Sequence, residues 1–118
     1  MPVTQSYLDF IASELSVVGS IRIRRMFGAA GLYCDEHFFA LADNDTLYFK
    51  VDDTSRARFQ REGMGPFRPY GEDGAAMNGY YEVPADVIED RGRLREWGLQ
   101  AVGVATSSKR TKRDRNRR

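Results

Sequence analysis

A single cysteine, Cys34, and a single histidine, His37, are all that this 118-residue chain offers to thiol or imidazole chemistry. One cysteine closes no internal disulfide, which fits a reducing cytoplasm, and two such ligands do not complete a zinc site. No apolar run approaches the roughly 20 residues that a membrane span needs. The N-terminus, MPVTQSYLDF, lacks the basic-then-apolar order of a signal peptide. The glycine pairs at residues 28–31 (GAAG) and 63–65 (GMG) lack the lysine and helix context of a phosphate loop, so they read as bends. What is present, 42% apolar and 30% charged residues, suits one globular domain large enough to fold without metals or disulfides. The expectation is a small cytoplasmic protein with no cofactor and no membrane contact.

The net charge of +1 conceals a split. Seven basic residues, Lys109, Arg110, Lys112, Arg113, Arg115, Arg117 and Arg118, stand against Asp114, so the C-terminal segment carries +6 and the body −5. Residues 106–118 contain no bulky apolar side chain. They are expected to form a disordered basic tail beyond a domain at residues 1–105. Contact with DNA or RNA through that tail, weak and indifferent to sequence, is one functional reading.

Periodicity switches several times along the body. Tyr7, Leu8, Ile11, Leu15 and Val18 share a helical face, with Thr4 or Ser6 as cap. Ile21, Ile23 and Phe27 alternate with Arg22, Arg24 and Met26 as in a half-buried strand. Strands at residues 32–34, 37–42 and 46–51 are separated by turns at Asp35-Glu36 and at residues 43–45. A short helix capped by Asp52 or Asp53 follows, then an edge strand at residues 66–70, a loop, a strand at residues 80–83, and a last helix whose face is Leu94, Trp97, Ala101 and Val104. Tight turns force antiparallel pairing. The predicted class is α+β: one antiparallel sheet of five to six strands, helices mainly on one face, order α-β(3-4)-α-β(2)-α.

A two-residue turn at Asp35-Glu36 pairs Cys34 with His37, Tyr33 with Phe38 and Leu32 with Phe39. A three-residue turn at residues 43–45 pairs Leu41 with Leu47 and Phe39 with Phe49. The expected core face is then Leu32, Phe39, Leu41, Leu47, Phe49 and Val51. The second face holds Tyr33, Phe38, Tyr48 and Lys50 with Ala40 and Ala42. Three readings of that second face stay open: a covering loop or layer from residues 66–78, a homodimer contact, and a platform for single-stranded bases.

Catalytic signals are sparse. A Cys34–His37 pair across the hairpin can in principle generate a thiolate, yet no orienting group or oxyanion site accompanies it, and a packed, inert pair is expected. An enzyme built on these two residues is the remote alternative. Arg22, Arg24 and Arg25 crowd one strand. The favoured reading is salt bridging to the acids of the body; the other is a contact with an acidic partner or phosphate.

The element RRMFG at residues 24–28, the GLY and FAL segments after it, and LYFKVD at residues 47–52 stand in a familiar order. GPF at residues 65–67, MNGYYEVP at residues 77–84 and LREW at residues 94–97 extend it. Together they closely resemble the TfoX/Sxy N-terminal domain family of competence regulators, over roughly residues 7–104. The resemblance implies an α+β fold and a non-enzymatic co-activator that works with a DNA-bound transcription regulator. Where longer members carry a helical C-terminal domain, this sequence has the basic tail.

Overall fold

The computed structural model describes the backbone of residues 2–116 and the side chains of residues 2–107. Helix α1 (Gln5–Leu15) begins where the Thr4 hydroxyl accepts a hydrogen bond from the Tyr7 N–H, and it buries Leu8, Ile11 and Leu15 on one face. Four strands joined by tight turns follow: β1 (Ile21–Met26), β2 (Ala29–Cys34), β3 (His37–Asp43) and β4 (Thr46–Lys50). A reciprocal Asp52/Ser55 capping box starts α2 (Asp53–Arg61). The chain continues through β5 (Pro66–Phe67), β6 (Met77–Glu82), α3 (Ala85–Ile88) and the long α4 (Arg91–Asn116), whose first turn is held by the Asp90 carboxylate.

The six strands form one antiparallel sheet in the order β1-β2-β3-β4-β6-β5. This is the α+β arrangement expected from the sequence. α4 lies on β3 and β4, with α1 beside it. Between these helices and the sheet sits a core that includes Leu32, Phe39, Phe49, Leu94 and Trp97. Gly98 lets the chain after α1 approach α4 closely, since a Cβ there would lie 2.5 Å from Val18 Cγ2.

The register departs from the expected one at two places. Tyr33 does pair with Phe38 and Cys34 with His37, but Leu32 pairs with Ala40, so Phe39 is the extra residue of a bulge. The next turn has two residues rather than three: Asp43 pairs with Thr46, and Asn44 and Asp45 take φ of 50° and 51°, values these side chains tolerate. Leu41 therefore pairs with Tyr48, and Ala40 with Phe49. Ala40 and Ala42 belong to the core, and Leu41 moves to the second face, where it is still only 7% exposed. Phe39 keeps its expected place, with its ring 5.9 Å from that of Phe49.

Three further corrections follow. β1 stops at Met26, so Phe27 lies in a turn and is fully exposed instead of facing inward with Ile21 and Ile23. The edge strand expected over residues 66–70 is reduced to Pro66–Phe67, because the chain turns where the Gly71 N–H donates to the Arg68 carbonyl. α4 continues through the backbone of residues 106–116, where the sequence reading expects disorder. Extending an existing helix carries no nucleation cost, and Lys and Arg are good helix formers. The side chains of Lys109, Arg110, Lys112, Arg113 and Arg115, and the whole of Arg117 and Arg118, lie outside the described residues.

Candidate functional site

The sheet face turned away from α1 and α4 carries an open apolar pocket. Alternation along β1 puts Arg22, Arg24 and Met26 on this side, and alternation along β4 adds Tyr48 and Lys50. Tyr33 and Phe38 meet across the β2–β3 pair with ring centroids 5.0 Å apart, and Phe38 reaches Tyr80 of β6 at 5.9 Å. Cations flank this aromatic row: the Arg22 guanidinium sits 5.0 Å from the Tyr33 ring, and the Lys50 ammonium 5.9 Å from the Tyr80 ring.

Covering is partial. Phe67 packs on Tyr48 with ring centroids 4.9 Å apart and is itself buried, so part of the expected loop layer exists. Beyond it an open pocket of about 550 Å³ remains, floored by Gly31, Phe38, Leu41 and Tyr80 and rimmed by Met26, Phe27, Tyr70 and Met77. Gly31 keeps the floor low. A Cβ at that position would come within 3.2 Å of Met26 Cε and 3.3 Å of Phe38 Cζ. Phe27, Tyr70 and Met77 are three of the five large apolar residues exposed among the described ones, so the exposed apolar surface concentrates at this rim.

Asp43 is the one charged residue in the lining, and its carboxylate forms no ion pair or side-chain hydrogen bond with a described residue. Burial, with Tyr33 adding to it, raises the Tyr80 phenol above its ordinary range. Burial, then the Glu82 and Asp43 carboxylates, does the same to Tyr48. A phenol is protonated at neutral pH in any case, so both hydroxyls can donate, and the one lining charge able to attract a cation is Asp43.

Cys34 and His37 are cross-strand partners, as expected. Cys34 is buried, and its thiol is pushed up by burial and then by Asp35, away from the thiolate that nucleophilic chemistry needs. The His37 Nδ1 is buried without a hydrogen-bond partner among the described residues. No group of three or more His, Cys, Asp or Glu side chains able to hold a metal ion occurs among the described residues.

The arginine cluster does not behave as expected. Arg25 donates to the Val3 carbonyl at 2.9 Å, Arg22 stacks on Tyr33, and Arg24 is exposed. None of the three forms an ion pair with a described residue. The reason is position: β1 is an edge strand, while the acids that do pair serve Arg56, Arg58 and Arg93 around α2, α3 and α4. No described helix is long and apolar enough to cross a membrane.

Sequence reasoning places Tyr33, Phe38, Tyr48 and Lys50 correctly on one face but misses Phe27, Tyr70, Met77 and Tyr80. For Phe27 only Gly28 hints at a two-residue turn, because a bulky residue at positive φ is not one that such turns favour. Tyr70 and Met77 lie at the two ends of a loop that carries no periodicity to read.

The chain matches the TfoX N-terminal domain family over residues 13–105. It is also 32% identical, over 97 residues, to an uncharacterized 12.7 kDa protein in the trpE 5′ region of Spirochaeta aurantia. That alignment spans 81% of this chain and 77% of the relative.

Proposed function

Because the chain belongs to the TfoX N-terminal domain family, we propose that it is a non-enzymatic regulatory domain acting in transcriptional control through protein contacts, with the open sheet face as its contact surface. The observation that carries this reading is the concentration of Phe27, Tyr70 and Met77 at the rim of an apolar pocket. Contiguous exposed apolar surface on a small domain marks partner binding. The family resemblance points to competence genes and a DNA-bound regulator as the setting. Transcript profiling of a deletion strain tests the proposal. Wild-type protein should restore the profile, and a Tyr70→Glu/Met77→Glu variant of unchanged melting temperature should not. Full restoration by that variant, or a deletion that alters no transcript, sinks it.

The +6 charge of the C-terminal segment supports a second reading, weak nucleic-acid binding through that segment. The two readings call on different surfaces and are separable.

A further inference from the structure

Phe27 is unfavourable to its own fold in two respects. It takes φ of 52° in a two-residue turn, a conformation costly for a bulky side chain, and it is 104% exposed. The other two-residue turn with both residues at positive φ uses Asn44 and Asp45, which suit that geometry. Folding of one chain alone does not account for an aromatic ring here.

The adjoining pocket defines what it accepts: an apolar knob beside a cation, since its walls are apolar and the single charge in its lining is Asp43, whose carboxylate pairs with no described residue. The chain itself presents that combination. Phe27 protrudes at the tip of the β1–β2 turn, and Arg24 stands exposed on the same sheet face, with no ion pair to a described residue. We propose that the open face is a two-fold homodimer interface in which Phe27 of each copy enters the other's pocket and Arg24 of each meets the other's Asp43.

A two-fold axis makes each contact twice from one set of residues, as self-complementary surfaces require. The alternative of joining two sheets along β1 is disfavoured, because arginines would face arginines along that edge. The inference rests on the open face being a protein contact surface and adds the identity of the occupant, a second copy of the chain.

Sedimentation velocity over micromolar to millimolar concentration tests it. Wild type should dimerise, and Phe27→Asn should weaken the dimer about 30-fold or more, as loss of a central aromatic anchor does. The melting temperature of the Phe27→Asn monomer should be unchanged or higher, because asparagine suits the turn. Arg24→Asp and Asp43→Arg should each weaken association, and the double variant should recover it. A wild type that stays monomeric overturns the proposal, as does a dimer indifferent to Phe27→Asn or a charge exchange that recovers nothing. If the dimer fails while Tyr70→Glu/Met77→Glu still abolishes transcript restoration, the contact surface stands and its occupant is a different protein.

Discussion

Trp97 joins α4 to the rest of the molecule through two kinds of contact. Its ring meets the edge of Phe59 at 4.8 Å, while the Arg58 guanidinium lies 4.2 Å over its face and pairs with Glu96 beyond. The indole is 3% exposed, yet its Nε1 donates to no described group. Its contribution is therefore packing and cation stacking, with no hydrogen bond to lose. Trp97→Ala should cost about 3–5 kcal/mol in chemical denaturation. Trp97→Phe should cost distinctly less, since a ring remains under Arg58 and no donor is stranded. Equal losses for the two variants would show that the indole N–H matters after all. Burial of Trp97 could be read from the sequence, because Leu94, Trp97, Ala101 and Val104 repeat at helical spacing and all four are buried. Its stacked arginine could not, because Arg58 reaches it from a separate helix.

At the scale of elements, short-range chemistry proved the most legible. Of the cap candidates the sequence offers, Thr4 holds the start of α1 and Asp52 that of α2, and Asp90 does the same for α4. The Asp52 carboxyl is held below its ordinary value chiefly by the Ser55 backbone N–H, so its protonation and the start of α2 are linked. A depressed folded-state value means that the cap's contribution is complete above the ordinary carboxylate range and fades as pH falls through the lowered value. Asp52→Ala should therefore cost about 1 kcal/mol at neutral pH and very little in strong acid. Asp52→Asn, which still accepts from the Ser55 N–H, should stay near wild type at neutral pH while flattening the acid dependence. Thermal melts from pH 2 to pH 7 read both effects. Strand register was less legible. The apolar residues of β3 run as Phe38, Phe39, Ala40, Leu41 and Ala42, and such a run fits either face. The bulge at Phe39 and the two-residue turn at Asn44-Asp45 settle it, and neither is visible in hydrophobic alternation.

Over the whole molecule, charge is divided between an acidic body and a basic C-terminal segment. If that segment meets phosphate, the response to salt should reveal it. Seven engaged cations would give a slope of log K against log salt of about −6 on duplex DNA, and repulsion from the body should reduce this to about −3 to −5. Deleting residues 108–118 should abolish such binding. The melting temperature should hardly move, because the deleted residues are polar or charged and the core residues of α4, Val104 and Ala105 included, are retained. Salt-independent binding, or sequence preference retained by the truncated protein, would move attention to Arg22 and Arg24 on β1.

One surplus residue marks how β3 divides between the pocket and the core. Because Phe39 has no cross-strand partner of its own, β3 sends Phe38 and Leu41 to the open face, and Phe39, Ala40 and Ala42 to the core. Removing Phe39 would leave Tyr33–Phe38 and Leu32–Ala40 as neighbouring pairs of an unbroken ladder, so every later residue of β3 would keep its partner on β2 and its side of the sheet. Phe39 is thus a large core ring that the sheet lodges without giving it a pairing position: a chain lacking it would lose the packing on Phe49 yet keep Phe38 and Leu41 over the pocket.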